Sequence, residues 1–353
     1  MKGTLYYGNR DIRIEEIDEP ILKNGEAKIR VDYCGICATD IEEYLYGPNA
    51  ISSTPPHPLT GISTPIIIGH ELTGTVVETY NTHTEITPGQ RVVINGILSC
   101  KKCNWCKSGN PQQCPVSGSV GFAANGGLAE FISWPISHII PLPNNVPSLE
   151  AALTEPAAVA AHAVDKGMVT AGNTVAVVGT GTVGILAMQI AKSRGAKVIA
   201  IDTRQLSLKT AAELNADETI LADDPHIETR LKDISNGPGP DVVIDAAGTS
   251  DTPKNCIKFV REGGRVVVVA IYIDTTNLDF NSIVTTEKEI IGCNSYTKDD
   301  VEEVVKLLSN GQLKTKPLIS GIIGLDDVLD IGFKKMLEPQ KDIFRLLVSP
   351  SLG

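Results

Sequence analysis

The spacing of apolar and polar residues changes character near residue 150. Before that point the apolar residues come in short runs broken by turns. Lys28 to Tyr33 (KIRVDY) alternates, as does Thr75 to Val77 after Gly74, and Arg91 to Ile94 (RVVI) follows a Pro88-Gly89 turn. Period-two alternation between turn formers predicts half-buried strands. Ile51 to Thr64 is rich in Pro, Ser, Thr and Gly without an apolar period, and reads as a loop. The first region is therefore expected to be β-rich with long loops.

After Leu149 strands and helices alternate. Glu150 to Lys166 is compatible with a helix, and Thr174 to Val178 (TVAVV) is an unbroken apolar run of the kind buried on both faces of a parallel sheet. Thr182 to Arg194 reads as a helix ended by Gly195, Lys197 to Ile201 as a strand, and Leu206 to Leu214 as a helix. Short strands at Glu218 to Leu221 and Asp241 to Asp245 follow, then a helix over Thr252 to Val260 and a strand over Arg265 to Ile271 (RVVVVAI). This alternation predicts a doubly wound parallel sheet. Asp299 to Leu308 reads as a helix. Leu318 to Ile323 and Ile343 to Val348 read as strands returning to the first domain.

Composition narrows the class. A chain of 353 residues with 42% hydrophobic content suits about two domains. With 31 basic and 42 acidic residues the net charge is −11, which disfavours a nucleic-acid backbone as partner. No stretch reaches the roughly 18 apolar residues of a membrane span. Met1 to Ile14 lacks the apolar core of a signal peptide, so a cytoplasmic protein is expected. In a reducing compartment the eight cysteines read as metal ligands before disulfides.

Cys100, Cys103, Cys106 and Cys114 follow a C-x2-C-x2-C-x7-C spacing with loop formers between them. Four thiolates gathered by turns fit a tetrahedral zinc with no open position, a structural site. An iron–sulfur cluster is the alternative. Gly179, Gly181, Thr182, Val183 and Gly184 belong to a G-x-G-x-x-G run that follows a predicted buried strand and opens a helix, the context of a dinucleotide loop. Asp202 ends the next strand and would accept hydrogen bonds from the adenosine ribose, favouring NAD. Arg204 could hold a 2′-phosphate, so NADP is the lesser expectation.

Three further motifs complete an ordered set: Cys34-Gly35-Ile36-Cys37-Ala38-Thr39-Asp40, Gly69-His70-Glu71 and Thr154-Glu155-Pro156. In this order, with the four-cysteine run and the glycine loop, the chain resembles the zinc-dependent branch of the medium-chain dehydrogenase/reductase family over nearly its whole length. That resemblance implies a GroES-like catalytic domain over residues 1–154 and 295–353, with a zinc lobe at about 96–116. A Rossmann domain is implied over 155–294. It implies that Cys37, His70 and Glu155 hold a catalytic zinc with an open fourth position, that Glu71 is a neighbouring carboxylate able to reach the metal, and that Asp40 orients His70. Thr39 would carry the proton away from the alcohol. Asp40 to Pro48 and His57 to Gly61 resemble the 2,3-butanediol dehydrogenases more than the sorbitol dehydrogenases.

The implied activity is NAD-dependent oxidation of a secondary alcohol, diol or polyol. Sorbitol, glucose and threonine dehydrogenases are the near alternatives. A zinc-free reductase of the same fold and a non-catalytic zinc- and dinucleotide-binding sensor are the distant ones. Tyr296 and Glu42 are the expected substrate-side residues, Glu42 standing where relatives carry a histidine. A small-molecule alcohol or ketone is the expected partner, and relatives imply a homodimer or homotetramer. His162 is expected to be packed, and His57, His83, His138 and His226 to be surface or structural.

Overall fold

The computed structural model describes residues 1–80, 84–272, 275–338 and 342–352; His83 lies outside the described residues. Two compact units result. The first comprises Met1–Glu155, Thr297–Ser309 and Thr315–Gly353; the second comprises Pro156–Tyr296 and Asn310–Lys314.

The first unit opens with an antiparallel hairpin, β1 (Lys2–Gly8) and β2 (Asp11–Glu16). Its central strand is β3 (Glu26–Ile36), whose alternating side chains bury Ala27, Ile29 and Val31. A helix, α1 (Ala38–Tyr46), follows directly. β4 (Ile66–Ile67) joins the hairpin at β1, and β5 (Glu71–Thr79) pairs antiparallel with β3. β6 (Arg91–Ile94) extends the same sheet. The pair β7 (Ile97–Leu98) and β8 (Gly118–Ser119) brackets a lobe containing the single-turn helix α2 (Asn104–Lys107). β9 (Phe131–Pro135) and β10 (Ile139–Pro141) pair with β3 and β6. The core under this sheet gathers Ile29, Ile36, Leu72, Val92, Leu128 and Trp134, the last donating its indole N–H to the Asn95 carbonyl at 3.0 Å.

The run read as one helix over Glu150 to Lys166 is two: α3 (Ser148–Ala151) and α4 (Thr154–Lys166). The break places Glu155 in the first turn of α4, where an acidic side chain suits the positive end of the helix.

The second unit is a six-stranded, fully parallel sheet. Its strands are β11 (Thr174–Val178), β12 (Lys197–Asp202), β13 (Glu218–Leu221), β14 (Val242–Asp245), β15 (Arg265–Val268) and β16 (Glu289–Gly292). They stand in the order β13-β12-β11-β14-β15-β16, with every pairing parallel. Every residue of β11 is buried, as its unbroken apolar run requires. Helices α5 (Thr182–Ser193), α6 (Gln205–Glu213), α7 (Ile227–Ile234) and α8 (Thr252–Phe259) connect the strands. The chain builds outward from β11 to β13, then crosses to β14 on the other flank. The crevice at the strand ends between β11 and β14 is thus the topological switch point, where open α/β sheets bind ligands. The expected strand Arg265 to Ile271 stops at Val268, because the N–H groups of Val269 and Ala270 both turn back to the Asp245 carbonyl, at 3.0 and 3.1 Å.

The chain then returns to the first unit, where β17 (Ile319–Ile323) and β18 (Arg345–Val348) lie parallel and β18 pairs antiparallel with β3. Among the described residues no helix is long and apolar enough to cross a membrane. His57, His138 and His162 are buried or half-buried, and His226 is exposed at the start of α7.

Candidate metal and dinucleotide sites

The lobe between β7 and β8 brings the sulfur atoms of Cys100, Cys103, Cys106 and Cys114 within 4.8 Å of one another. Zinc–sulfur bonds of about 2.3 Å at tetrahedral angles need sulfur atoms roughly 3.8 Å apart. Cys100 and Cys106 stand at 3.9 Å and Cys103 and Cys106 at 3.5 Å, so the donor set fits the ion. The loop also supplies donors to the sulfurs: the Cys103 N–H points at Cys100 Sγ (3.4 Å) and the Cys106 N–H at Cys103 Sγ (3.5 Å). Hydrogen bonds to a thiolate favour it. The Lys102 and Cys103 N–H groups accordingly lower the Cys100 thiol to about 6. Cys103 is pushed up to about 11 although the Cys106 N–H favours its thiolate, because burial and the adjacent thiols outweigh that donor. Sulfurs this crowded cannot all ionise without a cation among them.

The second cluster is assembled from distant segments of the first unit. β3 ends at Ile36, and Cys37 caps α1 in a capping box whose return bond runs from the Cys37 N–H to Asp40 Oδ2 at 2.8 Å. The other Asp40 oxygen faces His70 Nδ1 at 3.3 Å, so one buried carboxylate orients both residues. That leaves His70 Nε2 turned toward the cluster, 3.4 Å from the Thr39 hydroxyl. Burial opposes a charged His70, but Asp40 and Cys37 prevail and hold its pKa well above the usual histidine value. The ring is held against Phe122, with centroids 4.9 Å apart.

Two glycines make the arrangement possible. Gly69 has φ +93°, and a Cβ there would meet Leu128 at 2.6 Å and Cys34 Sγ at 2.8 Å. Gly35 stands opposite Glu71 in the β3–β5 register, and a Cβ on it would lie 2.2 Å from Glu71 Oε2. The fully buried Glu71 side chain thus occupies space that any other residue at position 35 would fill.

Donor atoms of Cys37, His70 and Glu71 lie within 4.8 Å of one another. Glu155, expected as a ligand alongside Cys37 and His70, is not in that set. It stands near enough to feel His70, Glu71, Arg345 and Asp40, and burial, ahead of the like charge of Glu71, pushes its carboxyl up to about 7. A thiol, an imidazole and two carboxylates with one raised pKa suit a divalent cation. Neither Glu71 oxygen completes a well-aligned hydrogen bond, although both are buried. Oε1 has a cationic neighbour in Arg345 at 3.0 Å, whereas Oε2 is a buried acceptor without a hydrogen-bond donor, a state that favours a cation nearby.

One residue of this site escapes sequence reading. Arg345 opens β18, is 4% exposed, donates to the Ile36 carbonyl at 2.9 Å and stands 3.0 Å from Glu71 Oε1. The signal is an arginine at the head of an apolar strand, since a buried guanidinium requires a partner.

In the second unit the glycine loop leaves β11 with Gly179 at φ +85°, where a Cβ would strike the Ala247 backbone at 2.6 Å. A Cβ on Gly184 would lie 2.0 Å from the Gly179 carbonyl, so the start of α5 packs against the turn only with glycine there. Gly181 is open, its nearest neighbour being Arg204 Nη2 at 3.9 Å from a Cβ position. No side chain caps α5, so the N–H groups of its first turn, at Thr182 and Val183, point out unsatisfied by a cap. A helix N-terminus left open in this way suits an anionic group. Asp202, 7% exposed, accepts from the Thr180 N–H (2.7 Å) and the Arg204 N–H (2.8 Å), and its second oxygen pairs also with Arg204 Nε at 3.5 Å. The two residues expected to read the ribose therefore hold each other. Of the expected substrate-side residues, Glu42 is half-buried on α1, with burial raising its carboxyl, and Tyr296 is buried in the second unit.

Comparison with known proteins agrees with both halves. Residues 23–144 match the alcohol dehydrogenase GroES-like domain and residues 182–310 the zinc-binding dehydrogenase family. The (R,R)-butanediol dehydrogenase of Bacillus subtilis is 31% identical over 99% of this chain and all of its own length. A sorbitol dehydrogenase of Bombyx mori is 32% identical over 82% of each chain. The crystal structure of the 2R,3R-butanediol dehydrogenase from Bacillus subtilis superposes with a TM-score of 0.92, covering 99% of both chains at 30% identity.

Proposed function

Since the chain belongs to the zinc-binding dehydrogenases with a GroES-like alcohol dehydrogenase domain, we propose that it oxidises a vicinal diol or related secondary alcohol, with NAD as hydride acceptor. The observation that carries this reading is the buried cluster of Cys37, His70 and Glu71 with Glu155 beside it. Cys37, His70 and Glu155 would hold the catalytic zinc, with Glu71 as an alternate ligand, while the four-cysteine lobe would hold the structural one. Zinc in such a site supplies Lewis acidity that makes an alcohol proton acidic near neutral pH.

The chain's own residues do the rest. Asp40 fixes the imidazole through Nδ1, keeping Nε2 directed at the cluster. Thr39, whose hydroxyl lies beside that nitrogen, would accept the substrate proton and hand it outward, with Glu42 three residues further along α1. Arg345 keeps Glu71 in place by pairing with one of its oxygens. In the second unit the Gly179–Gly184 loop and the first turn of α5 would hold the pyrophosphate, and Asp202 with Arg204 would hold the adenosine ribose.

Dehydrogenase assays with 2,3-butanediol stereoisomers, sorbitol, erythritol, threonine and simple alcohols, run with zinc analysis, test the proposal. NAD reduction fastest with a diol, on protein carrying about two zinc ions per chain, is the expected result. One zinc or none would favour a zinc-free reductase. Two zincs without turnover of any alcohol would favour a sensor.

A further inference from the structure

Asp245 is the last residue of β14 and is completely buried. Its register neighbours are apolar, Val178 on β11 and Val268 on β15. A carboxylate at that level is costly unless donors surround it, and packing alone would be served by another valine. The donors are present. Oδ1 faces the N–H groups of Ala247 (3.1 Å) and Gly248 (3.4 Å), and Oδ2 accepts from the Tyr272 hydroxyl. The buried Cys256 thiol on α8 lies beside the carboxylate. Tyr272 O in turn lies 3.3 Å from Thr252 Oγ1 at the start of α8. The Asp245 main-chain carbonyl takes the N–H groups of Val269 and Ala270.

These bonds join three loops at the switch point. The loop after β11 touches the loop after β14, since a Cβ on Gly179 would overlap Ala247. The loop after β14 touches the loop after β15, since a Cβ on Gly248 (φ +68°) would lie 2.9 Å from the Ile271 carbonyl. Asp245 holds the second and third loops from below, by main chain and side chain together. In a doubly wound sheet each half receives one mononucleotide. Asp202, ending β12, marks the adenosine half, so the loops after β14 and β15 border the nicotinamide half.

We propose that Asp245 and Tyr272 form a staple that presets the nicotinamide-side wall of the dinucleotide crevice, both acting as positioning residues. The inference rests on the cofactor reading above and adds to it a device for orienting the reactive end. Charge-assisted bonds of this kind hold geometry better than neutral ones. A wall fixed before binding spares the complex the entropy of ordering it.

Equilibrium binding of two probes to the full chain separates this role from bulk stability. NADH needs both halves of the crevice, whereas ADP needs only the adenosine half and the phosphate loop. Tyr272→Phe is expected to weaken NADH about tenfold while leaving ADP within about twofold, with little change in Tm. Asp245→Asn, which keeps the shape and can still bond Tyr272, is expected to fall between wild type and Tyr272→Phe. Equal weakening of NADH and ADP in Tyr272→Phe, or no weakening of either, would overturn the staple. Wild-type protein that binds neither probe would remove the cofactor reading itself, a result distinguishable from both.

Discussion

The four-cysteine lobe and the Cys37 cluster both gather donors that could hold a metal ion, but they are built in opposite ways. All four lobe ligands fall between residues 100 and 114, in a loop whose backbone N–H groups already point at the sulfurs. The other site draws Cys37, His70, Glu71, Glu155 and Arg345 from the whole length of the first unit and buries most of them. A locally built site can be closed and saturated by its own turn. A site assembled from many strands needs supports for every ligand, and here these are Asp40, Gly35, Gly69 and Arg345. The first kind stabilises a lobe. The second kind carries unbalanced charge in a dry place, which is the condition for chemistry.

The sharpest way to break this contrast is to remove one ligand from each site. Cys37→Ser is expected to lower kcat at least about a thousandfold while NADH binding and Tm stay near wild type. Metal analysis should then show one zinc lost; full activity in the metal-analysed variant would refute the assignment. Cys103→Ser should do the reverse, with zinc lost from the lobe and Tm lowered by roughly 10 °C, because binding there is part of folding. A stable Cys103→Ser protein with unchanged zinc content would show the lobe to be no metal site. Arg345→Met leaves Glu71 buried without its partner and is expected to cost about 3 kcal/mol in urea unfolding. Adding Glu71→Gln to that variant should recover most of the loss; if it does not, Arg345 serves packing and not charge.

How much of this could be read from the chain follows the same division. The lobe was legible because ligand spacing and turn formers lie side by side. The glycine loop was legible because an unbroken apolar strand precedes it and a helix follows. The sparse site was legible only through motif order, since no local pattern ties Cys37 to His70. Glu71, in the tight cluster with Cys37 and His70, was expected as a neighbour, and Glu155, expected as a ligand, stands just outside. Arg345 and Asp245 gave only faint signals, the first a charge inside the expected strand Ile343 to Val348 and the second a charge ending Asp241 to Asp245. What sets their role is three-dimensional: Arg345 pairs with the buried Glu71 across β3, and Asp245 lies level with Val178 and Val268. The same register ended the expected strand Arg265 to Ile271 early, because the Asp245 carbonyl captures the next two N–H groups.

The position of β18 beside β3 has a consequence for biosynthesis. Chains emerge from the ribosome N-terminus first, and domains tend to fold as units. The parallel sheet of the second unit is complete in sequence by Gly292, whereas the sheet of the first unit waits for Arg345–Val348 to pair with β3. Until those residues arrive, Glu71 lacks the Arg345 guanidinium and the Cys34–Ile36 end of β3 lacks its partner strand, β9 already covering Glu26–Arg30. The nascent chain can therefore finish its parallel sheet well before the sheet of the first unit, and β18 delivers both the missing backbone pairing and the missing positive charge in one event.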